Sequence, residues 1–113
     1  MEITYHKDVF MPSHALNAYR PFFLRYGTHA KNQCDADRYG KISPVYKVTV
    51  NQENLVELTL DGLRITKLLV RVPHDGKHDV CIVFLVDGFV KTCWLCMKSD
   101  THKTLKRHLY PTR

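Results

Sequence analysis

The sequence lacks long apolar runs and internal repeats. No stretch has the length or the amphipathicity that membrane insertion requires, and the first eight residues contain no apolar core of a secretory signal peptide. We therefore expect a cytoplasmic protein with no membrane partner and with its four cysteines as reduced thiols. Because the chain also lacks low-complexity linkers, its 113 residues suit one hydrophobic core, which predicts a single domain over residues 1–113.

Acidic residues are scarce relative to basic ones. Lys and Arg number 17 against 11 Asp and Glu, a formal net charge of +6, which favours an anionic partner, nucleic acid before membrane. The imbalance is strongest in the segment 98–113, which we interpret either as a solvated basic tail or as part of a nucleic-acid site. Its cations are Lys98, Lys103, Lys106, Arg107 and Arg113. Apolar residues at 44% and charged residues at 25% exclude a mainly disordered chain.

Helix signals occupy the first part of the chain. Residues 1–10 are interpreted as a short strand or an ordered arm, and a serine N-cap then predicts a helix over residues 13–19, which Pro21 ends or kinks. Thr28 is predicted to cap a second helix over residues 29–39, closed by the glycine that follows. One face of this second helix carries polar side chains at a spacing of four: His29, Gln33 and Asp37.

The pattern changes from a helical to a strand period near residue 45. Two pairs of strand-like runs are each joined by Asp-Gly, at residues 61–62 and 87–88, which is the strongest short-range signal for a β-hairpin. The apolar run 80–86 is predicted to be a central strand. The predicted fold class is α+β, with one or two N-terminal helices at 13–40 packed on an antiparallel meander sheet of about four to five strands at 45–97.

Two of the four cysteines have the C-x-x-C spacing, Cys93 and Cys96. A zinc site requires about four ligands, and the other two cysteines, Cys34 and Cys81, stand alone in the sequence. A redox motif places its first cysteine at a helix N-terminus, whereas this pair lies in a predicted strand, where positions three apart face opposite sides. We therefore predict structural thiols and no metal site or cofactor.

The C-terminal segment combines groups that suit RNA chemistry. Metal-free cleavage of RNA needs one group to deprotonate the 2′-hydroxyl, one to protonate the leaving oxygen and a cation for the phosphorane. His102 could fill either of the first two roles, Arg107 the third, and Tyr110 an acid or a base-stacking platform. Thr104 could bind a phosphate. The alternative is a terminal helix that docks its leucines and leaves its basic residues solvated.

The second predicted helix offers a further acid or base. His29 is either a capped first-turn histidine or one half of an acid–base pair with His102. The helix dipole disfavours a charged histidine near a helix N-terminus, which keeps the imidazole neutral and able to accept a proton. Arg38 lies at the other end of the same helix and supplies a cation.

These residues carry a resemblance to a known fold. A helix with His-Ala near its start, a following meander, and a last strand leading into His-x-Thr-Leu-x-Arg-x-x-Tyr (residues 102–110) resemble the small RelE-like and barnase-like ribonucleases. That group includes toxin endonucleases and uncharacterised bacterial and phage proteins. The architecture matches over most of the chain, and the motif covers about twenty residues at its end. The resemblance implies metal-independent RNA cleavage, with functional groups on the sheet face and in the C-terminal segment.

The resemblance also identifies candidate site residues and partners. Its implied catalytic residues are His102, His29, Arg107 and Tyr110. The candidate nucleic-acid contacts are Lys91, Lys103, Thr104, Lys106 and Arg38. The implied partner is RNA, free or on the ribosome, with an antitoxin or a host protein as a further partner.

Two functional hypotheses remain open from the sequence, besides a zinc or redox protein that rests on the C-x-x-C spacing alone. The first is a metal-independent endoribonuclease of toxin or effector type that cleaves RNA through attack by the 2′-hydroxyl. The alternative is a non-catalytic module, such as a small phage-encoded effector, that binds nucleic acid or an acidic host protein. Geometry separates them, because an enzyme needs His102 within about 7 Å of a second acid or base and a cation.

Overall fold

The structure, a computed structural model, describes residues 1–100 and 105–112 and has an α+β fold. Its elements in chain order are β1 (Glu2–His6), a 3₁₀ helix (Ser13–Ala18), β2 (Pro21–Phe23), β3 (Arg25–Tyr26), α1 (Thr28–Ala36), β4 (Lys47–Thr49), β5 (Leu55–Asp61), β6 (Arg64–Pro73), β7 (His78–Leu85), β8 (Phe89–Met97) and a C-terminal 3₁₀ helix (Arg107–Leu109). Within the described residues, the main sheet has six strands in the order β1-β5-β6-β7-β8-β3, and β2 pairs with β4 in a separate two-stranded ribbon.

The meander is confirmed for β5 to β8, but the sheet is larger than predicted. The four strands pair antiparallel in chain order, with β7 between β6 and β8 as the apolar run 80–86 predicted. The number and direction of strands need correction: β1 adds antiparallel to β5, and β3 adds parallel to β8, so the sheet is mixed. The two-residue β3 is too short to show an alternating pattern, which is why the sequence did not reveal it.

The helical part of the chain also differs from the prediction. Residues 13–18 form a 3₁₀ helix rather than an α-helix, and β2 and β3 separate it from α1. The helix α1 ends at Ala36 rather than Tyr39, because Asp37 is extended and its carboxylate accepts hydrogen bonds from the backbone N–H groups of Tyr39 and Leu95. Among the described residues, no helix combines the length and the apolar character needed to cross a membrane.

The two Asp-Gly pairs lie at hairpin tips, as predicted. Both glycines have a positive φ, 63° at Gly62 and 94° at Gly88, which is the conformation that such turns require. They differ in their surroundings. A Cβ at Gly62 would meet nothing within 4 Å, whereas a Cβ at Gly88 would lie 2.1 Å from the carbonyl oxygen of Phe23. The β7–β8 turn is therefore pressed against the segment that joins β2 to β3.

The hydrophobic core lies between α1 and one face of the main sheet. The helix packs on β8 and contributes Ala30 and Cys34, which are four residues apart and so share one face. The sheet contributes mainly branched aliphatic side chains and one aromatic: Leu58, Leu60, Leu68, Val70, Val80, Ile82, Phe84 and Leu95. This packing presents the polar face of α1, with His29 and Gln33, and the following Asp37 to the outer edge of β8.

Candidate functional site

A groove separates α1 from the outer edge of β8. β3 pairs with β8 at Phe89 and Val90 only, and beyond that point side chains of α1 take the place of a neighbouring strand. The side-chain oxygen of Gln33 accepts a hydrogen bond from the Cys93 N–H at 3.1 Å, and an Asp37 oxygen accepts one from the Leu95 N–H at 3.3 Å. The spacing from Gln33 to Asp37, four residues, corresponds to about 6 Å along a helix, and the spacing from Cys93 to Leu95 to about 6.7 Å along a strand. The two spacings match, so both side chains can reach β8.

The groove is an open cleft of about 630 Å³ with mixed chemistry. Its lining includes an imidazole, two amides, a guanidinium, a hydroxyl and an indole: His29, Asn32, Gln33, Arg38, Thr92 and Trp94. Trp94 is 38% exposed, and the guanidinium of Arg38 lies 4.7 Å from the centroid of the Tyr39 ring. The oxygen of Gln33 already accepts hydrogen bonds from Thr92 and Cys93, so towards a ligand this amide can only donate. Trp94 alternates with Cys93 along β8 and so projects from the face away from α1, which places its indole at the rim of the groove. The groove thus offers N–H donors and a cation, with a stacking surface at its rim.

Two of the predicted site residues lie in this groove and a third lies beside it. His29 is exposed in the first turn of α1, and Arg38 follows the helix at the far end of the groove. Lys91 is exposed on β8 next to Thr92, at a register shift where Val83 and Phe84 pair with Thr92 and Val90. His102, Lys103 and Thr104 lie outside the described residues, and Lys106, Arg107 and Tyr110 lie in the C-terminal segment.

The C-terminal segment docks at the opposite edge of the sheet. The hydroxyl of Tyr110 donates to a carboxylate oxygen of Glu57 at 2.7 Å, and its ring packs against His6 with centroids 5.0 Å apart. Arg107 donates to the carbonyl oxygen of Asp8. Glu57 lies opposite His6 in the β1–β5 register, so both side chains are on one face of the sheet. These contacts tie the segment to β1 and β5.

The electrostatics of this contact keep Tyr110 protonated. Burial, the hydrogen bond to Glu57 and the negative charge of Glu57 together raise the pKa of Tyr110 to about 12. His6 is 3% exposed, and its Nδ1 accepts a hydrogen bond from the backbone N–H of Asp8 at 3.1 Å. At neutral pH the hydroxyl of Tyr110 is therefore protonated and donates to the carboxylate of Glu57. This contact suits anchoring of the segment and also places a carboxylate at this edge of the sheet.

The predicted catalytic residues fall into two separate places. His29 lies on α1 beside β8, whereas Tyr110 contacts β5 and β1 at the other side of the sheet. Three strand spacings separate β8 from β5, which corresponds to about 14 Å. The structure therefore places Tyr110 and Arg107 near β1 and places His29 and Arg38 at the two ends of the groove, so the two sets lie apart.

The sequence did not identify several residues of the groove and of the C-terminal contact as site residues. The spacing of Gln33 and Asp37 on one helix face was visible, but their contact with β8 depends on tertiary packing. Glu57 and His6 become neighbours only through the pairing of β1 with β5, which are separated by about fifty residues of chain. Trp94 was read as part of a strand, and its place in the groove lining follows from the position of α1.

The cysteines form two thiol pairs on opposite faces of β8. Cys93 faces α1, with its sulfur 3.6 Å from that of Cys34, and Cys96 faces the other way, 3.7 Å from the sulfur of Cys81. These sulfur separations would also suit two ligands of one tetrahedral ion. However, the described residues contain no group of three or more metal-ligating side chains, and the sheet separates the pairs, so the four sulfurs cannot surround one ion. Burial raises the pKa of the Cys93 thiol to about 12, which disfavours the reactive thiolate.

Comparison of the chain with protein families, with curated proteins and with solved structures finds no match.

Replacing Tyr110 by phenylalanine tests whether its hydroxyl anchors the C-terminal segment. We expect a loss of about 1–2 kcal/mol in the free energy of unfolding at pH 8, because the carboxylate of Glu57 loses its donor. The folded-state pKa of Tyr110 is raised above the value of about 10 for an unfolded chain. Its contribution is therefore complete below pH 10 and disappears as the pH rises through about 12.

Urea unfolding of wild type and Y110F at pH 8 and at pH 11 measures this contribution. The difference between the two proteins should be smaller at pH 11. A double-mutant cycle with Glu57→Gln separates the pair from other effects. Equal differences at both pH values would show that the hydroxyl does not stabilise the fold through Glu57.

Proposed function

We propose that the protein binds single-stranded RNA in the groove between α1 and β8. The observation that carries the proposal is the composition of the groove, in which the guanidinium of Arg38, amide donors and the indole of Trp94 line one open cleft. Bound single strands present phosphates, which pair with cations, and unstacked bases, which stack on aromatic rings and receive hydrogen bonds. The groove supplies a group for each of these needs.

The lining of the groove carries one cation, Arg38, and one carboxylate, Asp37, so the exposed Lys91 beside it gives the region its positive excess. One oxygen of Asp37 accepts from the Leu95 N–H and the other from the Tyr39 N–H, so both are engaged with backbone donors. Arg38 and Lys91 are exposed, and the whole chain carries a formal net charge of +6. Phosphates near the groove therefore meet cations that can displace condensed counterions, the term that dominates non-specific nucleic-acid affinity.

The size of the groove favours a single strand over a duplex. A cleft of about 630 Å³ has the volume of a small-molecule site and fits about one or two nucleotides. In a duplex the base faces are stacked on one another, so they cannot reach the indole of Trp94. A flexible single strand can turn one base into the groove and leave its neighbours outside.

Removing the charge of Arg38 tests the location of the site. We expect Arg38→Gln to weaken binding of a fluorescein-labelled 12-nucleotide RNA by about 3- to 10-fold in low salt, as expected for the loss of one phosphate contact. Fluorescence anisotropy in EDTA measures the affinity, and an unlabelled hairpin duplex serves as competitor.

The matched control is Arg64→Gln, which makes the same change of charge at the opposite end of the strands. Arg64 begins β6 and lies 3.7 Å from Asp61, whereas Leu95, which contacts Asp37 in the groove, is in register through Val80 with Val72, eight residues further along β6. Its loss should change the affinity less than twofold. Equal losses from the two substitutions would show that the RNA responds to net charge alone and does not occupy the groove.

A second candidate function, RNA cleavage, is favoured by the contacts of the C-terminal segment. Two predicted catalytic residues, Tyr110 and Arg107, are held close to the same edge of the sheet, where Glu57 adds a carboxylate. A carboxylate base, a phenol and a guanidinium are groups that metal-free cleavage can use. We propose this edge of the sheet as the cleavage site of that second function, to which His102 is assigned by the sequence motif alone.

A further inference from the structure

The ribbon formed by β2 and β4 presents an exposed face that the groove does not include. Its side chains alternate: Phe22 and Val48 are buried, whereas Pro21, Phe23, Lys47 and Thr49 are exposed. Phe23 is 73% exposed, an unusual position for a large aromatic ring in a strand.

Phe23 and Lys47 form a pair across the ribbon. Hydrogen-bonded and non-hydrogen-bonded pairs alternate along an antiparallel ladder. The N–H of Leu24 donates to the Tyr46 carbonyl, so the neighbouring register pair of Phe23 and Lys47 is a non-hydrogen-bonded one. Side chains approach most closely at such non-hydrogen-bonded pairs. The ammonium of Lys47 lies over one face of the Phe23 ring, 5.5 Å from its centroid, so a cation and an exposed aromatic ring share this surface.

The backbone beneath Phe23 is held firmly. The β7–β8 turn packs against it, with Gly88 so close to the Phe23 carbonyl that a side chain would not fit. Just beyond, the N–H of Arg25 donates to the Gly88 carbonyl, and the Arg25 guanidinium binds both the backbone oxygen and the carboxylate of Asp87. The exposed ring is therefore presented on a fixed element, which lowers the entropy cost of binding a partner.

The charges around the ribbon indicate an anionic partner. Lys47 lies in its exposed face, Arg20 precedes β2 with its guanidinium 4.9 Å from the Phe22 ring, and Arg25 follows β2. Arg25 is paired with the carboxylate of Asp87 at 3.1 Å, so these two charges cancel and the positive excess comes from Lys47 and Arg20. An acidic protein could match the charge, but it would not need an exposed aromatic ring beside a cation. Single-stranded nucleic acid uses both, one for a base and one for its phosphate.

We propose that the exposed face of the β2–β4 ribbon is a second binding surface for single-stranded nucleic acid. Phe23 stacks on a base, and Lys47 neutralises the adjoining phosphate. The inference extends the proposed RNA binding, because β3 follows the ribbon directly and pairs with the start of β8, which leads into the groove. A strand that leaves the groove near the start of β8 can thus continue onto the ribbon.

Substitutions of Phe23 test this surface with the same labelled 12-nucleotide RNA and with DNA of the same sequence. Phe23→Ala should weaken binding about 5- to 100-fold, the usual effect of losing one stacked base. Phe23→Leu, which keeps an apolar side chain without a ring, should weaken it similarly, whereas Phe23→Tyr should retain affinity. Lys47→Gln should weaken binding and lower the salt slope by about one. RNA and DNA should respond alike, because stacking does not read the sugar.

The control is Leu63→Ala, since Leu63 is also 73% exposed but lies in the β5–β6 turn. It should leave the affinity unchanged, and thermal unfolding should show that each variant is folded. If Phe23→Leu binds as wild type does, the surface is an apolar contact and the proposal is overturned. If Phe23→Ala has no effect while Arg38→Gln does, the ribbon surface alone is wrong. If Phe23→Ala weakens binding while Arg38→Gln does not, binding at the ribbon is supported and binding in the groove is contradicted. If wild type binds neither nucleic acid, both fail.

Discussion

Replacing His102 with alanine is expected to lower RNA cleavage by about 10²- to 10⁴-fold if the protein is an endoribonuclease. Loss of one general acid or base typically has this effect on the rate. His102 lies outside the described residues, so its role rests on the sequence motif. The measurement is cleavage of labelled RNA in EDTA, with detection of the 2′,3′-cyclic phosphate ends that attack by a 2′-hydroxyl produces.

Glu57→Gln extends the same test to a residue that the structure adds. It removes the carboxylate that contacts Tyr110 while keeping a hydrogen-bond acceptor, so the segment can stay docked. A fall in cleavage comparable to that of His102→Ala, with unchanged RNA affinity, would place both residues in one catalytic set. His108→Ala is the matched control, because His108 is an exposed histidine of the same segment.

Three results would contradict the catalytic interpretation. If His102→Ala unfolds the protein, His102 has a structural role and the C-terminal segment is a packing element. If wild type binds RNA but yields no cyclic phosphate, the protein is a binding module. If His108→Ala lowers cleavage as much as His102→Ala, the effect reflects the general charge of the segment. RNA affinity should survive His102→Ala in every case in which the fold survives, because phosphate contacts come mainly from Lys and Arg.

The second large effect is expected at Gly88. Gly88→Ala should lower the free energy of unfolding by more than about 3 kcal/mol, for two reasons that add. A non-glycine residue at a φ of 94° is strained by about 1–3 kcal/mol. In addition, the new Cβ would lie 2.1 Å from the carbonyl oxygen of Phe23, so the turn and the β2–β3 segment must separate.

Gly62→Ala isolates the first of these reasons. Gly62 also has a positive φ, 63°, and also follows an aspartate at a hairpin tip, but a Cβ there meets nothing within 4 Å. Gly62→Ala should therefore lower the free energy of unfolding only by the strain of the left-handed conformation, about 1–2 kcal/mol. Urea denaturation compares the two variants. Equal losses would show that the β7–β8 turn does not press against Phe23 as described, and would remove the rigid support argued for the ribbon.

Because the ribbon rests on this turn, Gly88→Ala should also affect nucleic-acid binding. A variant that stays folded below its midpoint should bind the 12-nucleotide RNA more weakly than wild type, whereas Gly62→Ala should bind normally. The reason is that Phe23 loses its fixed position, not its chemistry.

Local signals predicted the hairpins well. Asp61-Gly62 and Asp87-Gly88 determine tight turns through backbone conformation alone, and the runs on either side carry the alternation of strands, so β5 to β8 followed from the sequence. The length of α1 was less predictable. Asp37 leaves the helix because its carboxylate is engaged by Leu95, a residue that is distant in the chain.

The location of the site was not predictable in the same way. The sequence predicts His29 and Arg38 on one helix, and the structure adds Trp94 and Gln33 to the same groove because α1 packs on β8. The C-terminal motif was readable as chemistry, but its docking beside Glu57 depends on the pairing of β1 with β5.

The features that can be read from the chain alone are local or additive: an α+β class, the hairpin turns, the apolar run of β7 and the excess of positive charge. Which distant residues meet depends on how the whole chain packs. Tertiary packing added β1 and β3 to the two sides of the sheet, closed the edge of β8 with Gln33 and Asp37, and pressed Gly88 against Phe23. The physical reason is that turn geometry and alternation depend on neighbours in the chain, whereas strand order and helix docking minimise exposed apolar surface over the whole molecule.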